Sequence, residues 1–548
     1  MFPQFAKNEK CLVADVVQMH CDIAIVGYGP VGATAAALLA GQGLQVAVIE
    51  RMAGIYDKPR AITADHEVMR VMQVAGIGKE LAAHIRPHPG TQYLGVDGEL
   101  IKRTDVIPPP FPLGWPVGVH FIQPEYEAML RGAVARHDDV DVLLSHELVD
   151  LAESDDRIVL DIRDLASGQA RSIHARYLLA CDGANSFVRK RIGIGYEDLA
   201  FDEWWVVVDA WERRPTAFPN RNTQYCWPSR PASAIIGPRD LRRWELKILP
   251  HERPEEFHDQ ARVREVLRDF VDVDAIELWR SAVYRFHALV ADRWSQGRIF
   301  LLGDCAHQMP PFLGQGMCAG IRDAANLIWK LLLVEKAGVS PVLLRSYQKE
   351  RKVHVKNVVA QAKDLGLIIG ELDLEAAKKR DARLRAERAR SGGDPLRHRL
   401  IPPLAGGLID CDERGQPRGA AGSLFPQPTV ETSDGRTALL DDILPPVFLV
   451  VSRTIDAQSG LSERDLAALR RIGAICVVLR SRGDPQSTPE GVVTLVAQDS
   501  LYEQWLDETG TTTAVVRPDR YIYGTGGTGQ DLARLIDRLS GALFGPGN

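Results

Sequence analysis

The chain comprises 548 residues, 45 % of them hydrophobic and 25 % charged, with a formal net charge of −6. That length supports two or three domains around a large core, and the mild acidic excess gives no general attraction for nucleic acid or anionic membranes. No apolar run reaches the roughly 18 residues that a membrane span needs, and the eight cysteines lack CxxC pairing, which favours reduced thiols in a cytoplasmic protein.

About the first twenty residues lack the apolar stretch of a secretory signal. They read as an extension ahead of the first strand, with Met19 as an alternative start. Cys21–Val26 is a buried-type strand. It runs into a GxGxxG turn at Gly27, Gly29 and Gly32, an apolar helix opening at Pro30, and a second strand that ends in Glu50. Gly27 turns the chain tightly, Gly29 lets backbone amides approach a pyrophosphate, and Gly32 lets the helix pack close to the sheet. The helix N-terminus adds partial positive charge. Glu50 can accept hydrogen bonds from a ribose diol, with Arg51 beside it. An intact 2′-hydroxyl is expected there, so FAD or NAD fits better than NADP.

Further motifs follow in chain order. Pro59-Arg60-Ala61 precedes Asp65-His66-Glu67, and Phe121-Ile122-Gln123 opens a helix. Leu178–Arg189 reads as a strand ending in Asp182-Gly183. Arg298–His307 is a strand entering Gly303-Asp304, after which Pro310, Pro311, Phe312 and the Gly314-Gln315-Gly316-Met317 turn lead into a long helix.

Taken together, these stretches resemble the class A flavoprotein aromatic hydroxylases, which are single-component FAD monooxygenases. The resemblance covers about residues 20 to 365, and the 3-(3-hydroxyphenyl)propionate hydroxylases are the subgroup most like it. It implies a cofactor set of Gly27, Gly29, Pro30, Gly32, Glu50, Arg51, Arg60, Gln123, Asp182, Gly303, Asp304, Pro311, Gly314, Gly316 and Met317. Within that set Arg60 faces the pyrophosphate and nicotinamide donor, Gln123 touches the flavin, and Gly303-Asp304 binds the ribityl chain. It further implies NADH or NADPH as co-substrate. The resemblance implies that a C4a-hydroperoxyflavin formed with O2 hydroxylates a phenolic substrate ortho to its hydroxyl, with 3-(3-hydroxyphenyl)propionate or a similar phenolic acid of aromatic catabolism as the expected substrate. Tyr284 is the expected holder of the phenol oxygen, with His287, His66 and His307 as rival bases.

The implied fold is α/β, with an α+β substrate domain. A discontinuous Rossmann-like, GR2-type FAD-binding domain spans 20–90, 119–190 and 290–365. A β-sheet substrate domain takes 91–118 and 191–289, with strands expected around Glu203–Trp211, Ala234–Gly237, Trp244–Leu249 and Ala282–His287. Trp204, Trp205, Tyr225, Trp227 and Trp244 are expected partly to line a pocket. Residues 366–400 read as a helical linker whose charged stretch is a solvated helix rather than a nucleic-acid patch. Residues 401–548 resemble the thioredoxin-like C-terminal domain of phenol-hydroxylase relatives, without its redox motif. A second GxGxxG, at Gly524–Gly529, lacks the following strand and acid and reads as an ordinary strand–helix turn.

No HExxH or paired Cys/His spacing marks a metal site, and no GxSxG elbow is present. A rival function, a tailoring hydroxylase of a polyketide or other polycyclic aromatic, shares every cofactor motif. A second, a non-catalytic escort protein, shares the fold but is opposed by the presence of Asp304 and the Gly314-Gln315-Gly316 loop. A plain NAD dehydrogenase would not need the segment at 303–317. A homodimer is the default assembly.

Overall fold

A computed structural model describes residues 17–454, 461–481 and 492–545. Its first sheet runs in the order Ser295–Gln296, Ile299–Leu301, Ala170–Ala180, Val17–Val26, Val46–Glu50, Val140–Leu144. The hairpin of His146–Glu153 and Ile158–Asp164 joins it antiparallel through Ala170–Ala180. Every residue of Val46–Glu50 is buried, as a parallel strand covered on both faces requires. Pairing begins at Val17 opposite Arg171, so the first strand starts earlier than expected and contains Met19. The rest of the expected N-terminal extension lies outside the described residues.

Register brings the motifs together. Val26 stands opposite Ala180 on one side and Ile49 on the other, and Ala180 stands opposite Leu301. The chain therefore leaves neighbouring parallel strands side by side at Gly27, at Cys181-Asp182 and at Leu302-Gly303, with Glu50 beside them. Strands sit roughly 4.8 Å apart, so segments far apart in sequence share one carboxyl edge, where open α/β sheets bind ligands. Helix Gly316–Ala337 presses on the Gly303 turn, because a Cβ at Gly320 would lie 2.9 Å from Gly303 Cα and 2.5 Å from Val31 Cγ2.

The second sheet has eight strands, in the order His307–Gln308, Ile276–Ala291, Tyr196–Glu212, Leu241–Lys247, Ala232–Ile236, Asn222–Tyr225, Thr91–Leu94, Leu100–Thr104. Alternation gives it two faces. Val206, Val208, Ala234, Trp244 and Leu246 pack with Val263, Val266 and Leu267 of helix Gln260–Leu267 in an apolar layer. Trp205, Asp209, Arg243, Glu245, Tyr284 and Phe286 alternate with those residues and occupy the opposite face.

The charged helix expected to be solvated is exposed over most of its surface and docks on this domain by one stripe. Helix Leu374–Arg390 buries Ala377, Arg380, Asp381 and Leu384. Arg380 donates to Cys226 O at 2.8 Å, and Asp381 accepts from Val96 N at 2.7 Å. Only Ala377 and Leu384 make its buried stripe apolar, with Arg380 and Asp381 between them, which hid it from a hydrophobic-periodicity reading.

The C-terminal sheet runs Thr437–Leu439, Thr429–Glu431, Val493–Ala497, Ile475–Arg480, Leu449–Ser452, Thr513–Val516, Ile522–Gly526. The second GxGxxG joins strand Ile522–Gly526 to helix Gly529–Phe544, and the Thr528–Asp531 capping box already satisfies that helix start. Buried ion pairs join this domain to the first. Glu350 accepts from Arg517 at 2.8 Å and Lys330 at 2.9 Å, and Asp441 bridges Arg70 at 2.6 Å and Arg520 at 3.0 Å. Tyr521 Oη donates to Glu67 at 2.8 Å. Among the described residues no helix is long and apolar enough to cross a membrane.

Candidate cofactor and substrate site

The dinucleotide turn is built as its glycines demand. Gly27 holds φ +97°, and a Cβ there would lie 2.4 Å from Cys181 O. At Gly32 a Cβ would fall 1.9 Å from Gly27 O, which excludes any side chain. A Cβ at Gly29 would meet no protein atom within 4 Å, so its small size serves no protein contact and leaves the approach to the helix start at Pro30 open. Glu50 is held by two amides, accepting from Tyr28 N at 2.7 Å and Met52 N at 2.8 Å. Arg51 beside it is exposed. Arg131 braces the turn by donating to Tyr28 O at 2.8 Å, its guanidinium 4.5 Å from the Tyr28 ring centroid.

The neighbouring strand ends carry two carboxylates with unused capacity. Asp182 accepts from Val188 N at 3.0 Å through one oxygen, while Oδ1 is buried without a partner. Burial raises its carboxyl above the ordinary value, against the pull of Ser186 and the Val188 amide. Asp304 projects from the Gly303 turn (φ +67°) and its side chain has no hydrogen-bond partner among the described residues. Asp304 itself is exposed, yet the protein packed around the cleft raises its carboxyl, and His307 and Arg60 pull it back only partly. Tyr196 Oη fixes the turn from below, donating to the carbonyls of Asp304 and Cys305 at 3.1 Å.

Two loops complete the edge. Gln123, expected to touch the flavin, clamps the Arg60 loop that lines the same edge. Its Oε1 accepts from Arg60 N at 2.8 Å and Ala61 N at 2.6 Å, and its amide donates to Glu127 at 2.7 Å. From the second sheet, Arg243 donates to Arg60 O at 2.8 Å and Arg280 contacts Pro59 O. The Arg60 side chain is left exposed, 5.4 Å from the Tyr56 ring centroid. The other loop is a 3-10 turn, Pro311–Leu313, followed by Gly314 at φ +66° and helix Gly316–Ala337. The first helical bond is Ala319 N to Gln315 O, at 2.8 Å. The amides of Gly316, Met317 and Cys318 thus lie outside the ladder and carry positive potential. Arg397, which the sequence reading missed, donates to Leu313 O at 2.9 Å. Gln315 reaches Asp65 at 3.0 Å. Asp65 caps helix His66–Val74; burial would raise it, but Arg322 and its neighbours hold it at about 2.

Of the aromatic residues expected to line a pocket, one faces the cofactor loops. The Trp205 ring lies 5.0 Å from Phe312, and Phe286 lies 6.2 Å from Phe312. Trp244, Tyr225 and Trp227 belong to the apolar layer on the opposite face, and Trp204 is 40 % exposed. Tyr284 stacks on Phe286 at 6.1 Å, and its hydroxyl contacts Arg280. His287, three residues on, falls on the other face, 3.7 Å from Asp202. It does not join Tyr284, because an odd spacing along a strand reverses the side chain.

The other two histidines are also removed from Tyr284. His307 is fully buried, bonded to Asp323 at 2.7 Å and stacked 5.2 Å from Trp294. It joins the Gly303 segment to the long helix. His66 lies 6.0 Å from His398 and lines a cavity of about 310 Å³ with Arg397 and Tyr521, where burial outweighs Asp65 and pulls it down to about 4.

These features fit FAD: an open Gly29 approach, an acid beside the second strand, unsatisfied carboxylates at Asp182 and Asp304, and bare amides at Gly316. Gly27–Gly32 and Asp182 would hold the pyrophosphate region, Glu50 the ribose, Asp304 the ribityl chain and Gly314–Met317 the flavin ring. Bound there, FAD supplies hydride acceptance and oxygen activation. The chain's own residues supply position, amide dipoles and an aromatic cover that excludes water.

Comparison with known proteins agrees with this geometry. Residues 20–362 match the family model described as FAD binding domain, and residues 422–542 match the HcaD C-terminal domain. A 3-(3-hydroxy-phenyl)propionate/3-hydroxycinnamic acid hydroxylase of Comamonas testosteroni is 30 % identical, across 96 % of this chain and 98 % of its own. A probable NADH-specific resorcinol 4-hydroxylase of Rhodococcus jostii is 35 % identical, across 95 % of each. In fold, the chain is similar to the flavin-dependent monooxygenase PieE solved with FAD and substrate (TM-score 0.76, 20 % identity, 96 % and 99 % covered). It is likewise similar to aklavinone-11 hydroxylase solved with FAD and aklavinone (TM-score 0.72, 22 % identity, 95 % and 98 % covered). The chain belongs to the FAD-binding-domain family of flavin-dependent aromatic hydroxylases.

Proposed function

We propose that this monooxygenase uses NADH or NADPH and O2 to hydroxylate a single-ring phenol ortho to its hydroxyl. The observation that carries the reading is the Tyr284–Arg280 contact, on the sheet face that turns Trp205 and Phe286 onto Phe312 of the cofactor loop. Arg280 polarises the Tyr284 hydroxyl, which then holds the phenol oxygen as the ring gains electron density. The two relatives' names describe meta-substituted phenols, so 3-(3-hydroxyphenyl)propionate and resorcinol are the first substrates to try. Seven described cysteines are all unpaired, which suits work in a reducing cytoplasm. The test is a panel of phenols screened for stimulated nicotinamide oxidation, with the product identified by mass. A gain of one oxygen atom supports the reading; nicotinamide oxidation that no phenol stimulates defeats it.

A further inference from the structure

Glu245 is 4 % exposed, and its carboxylate has no hydrogen-bond partner among the described residues. Its oxygens are not sealed in protein, so the partner they lack has to come from the space this sheet face opens onto. Its strand neighbour Arg243 is committed elsewhere, to Asp209 at 2.7 and 3.0 Å and to the Arg60 carbonyl. Burial, opposed by Arg243 and assisted by Asp209, lifts the Glu245 carboxyl to about 7.

The neighbouring strands supply a complement. Glu245 stands opposite Val207 and Ser233, and Ser233 stands opposite Gln224. The Ser233 hydroxyl donates to Gln224 Oε1 at 2.5 Å, which draws the carboxamide across Ser233 toward Glu245. Gln224 is 5 % exposed, and its amide nitrogen has no acceptor among the described residues. A bare acceptor and a bare donor therefore share the face that carries Tyr284 and Arg280. Tyr284 stands opposite Trp205, so its strand lies two interstrand steps from that of Glu245, about 10 Å across the sheet.

We propose that Glu245 and Gln224 recognise a second, uncharged hydroxyl on the substrate ring, one that donates to the carboxylate and accepts from the carboxamide. The inference rests on the phenol hydroxylase reading above and makes it narrower. A carboxylate tail at this position would meet a like charge, and a methoxy group has no hydrogen to give. The substrate class selected is a dihydroxybenzene rather than a phenolic acid.

The experiment titrates the holoenzyme with resorcinol, 3-methoxyphenol and 3-(3-hydroxyphenyl)propionate, following the perturbation of flavin absorbance. Resorcinol is expected to bind roughly tenfold to a hundredfold more tightly than 3-methoxyphenol, the range for a hydrogen bond to a charged group. That gap should widen as pH rises through about 7, where Glu245 ionises. The charged and titratable groups facing Glu245 are Arg243 and Lys247 on its own strand and Asp209 on the next. Arg280 and Tyr284 lie beyond that, Tyr93 lies beyond Gln224, and the Arg60 loop is on the cofactor side. Glu245→Gln and Gln224→Leu should each narrow the gap while leaving flavin content unchanged. Should a variant fail to fold, the wild-type comparison decides alone. Equal binding of resorcinol and 3-methoxyphenol at every pH, or tighter binding of the phenolic acid, overturns the role of Glu245 while phenol-stimulated oxidation persists. Absence of any phenol response defeats both readings together.

Discussion

Asp323 and His307 form a fully buried pair, with His307 Nε2 2.7 Å from Asp323 Oδ2, and the same carboxylate oxygen accepts the Gly303 amide at 3.1 Å. Arg351 donates to the other oxygen at 2.9 Å. One helix residue thus sets the turn from which Asp304 projects. Asp323→Ala is expected to cost about 3–5 kcal/mol, because it leaves Arg351 as an uncompensated buried charge. Urea denaturation measures that loss. Flavin content at a temperature where the variant stays folded measures the effect on the Gly303 turn; full occupancy would separate Asp323 from the cofactor site.

Asp304→Ala removes a carboxylate without a protein partner, so the fold should keep its stability to within about 0.5 kcal/mol. FAD affinity should fall roughly tenfold to a hundredfold. Equilibrium dialysis of the apoprotein with FAD reads the change, and tight binding in the variant would remove Asp304 from the cofactor set.

For Tyr284→Phe, the stack on Phe286 survives and only the hydroxyl on Arg280 is lost. Normal FAD binding is expected, with hydroxylation slowed by roughly 10²-fold or more and a larger share of nicotinamide oxidation ending in hydrogen peroxide. The ratio of hydroxylated product to nicotinamide consumed is the measurement. An unchanged ratio would leave Tyr284 with a packing role.

Acid should destabilise the protein earlier than its carboxylates alone predict. His66 is held at about 4 against an ordinary 6.5, chiefly by burial. The unfolded chain therefore takes up that proton more readily. The stability is fully present above 6.5 and is lost as pH falls toward 4, by about 3 kcal/mol. His120, held at about 3 by burial and Arg397, adds in the same direction. Urea midpoints measured from about pH 7 to about pH 5 should decline, and more shallowly in His66→Gln.

The cofactor edge was readable from sequence because its signals are local. A glycine turn, a strand ending in an acid and a Gly-Asp turn each impose backbone geometry within a dozen residues or so. Residues whose partners come from distant elements were not readable. Gln123 clamps the Arg60 loop, Arg397 reaches Leu313 from the segment after the charged helix, and helix Leu374–Arg390 docks through the polar Arg380 and Asp381 as much as through Ala377 and Leu384. Nothing in a polar side chain's own neighbourhood announces a partner that the fold brings from far along the chain.

Alternation along Tyr196–Glu212 and Ile276–Ala291 was enough to show that each strand has two faces, since side-chain direction reverses at every residue whatever surrounds it. Which face meets the cofactor depended on long-range packing. The apolar layer with helix Gln260–Leu267 claims Trp244 and Tyr225, and that leaves Trp205, Tyr284 and Glu245 toward Phe312 and the Arg60 loop. Burial of that layer is a property of the assembled sheet and helix, so only the folded chain could turn those residues toward the Phe312 and Arg60 loops.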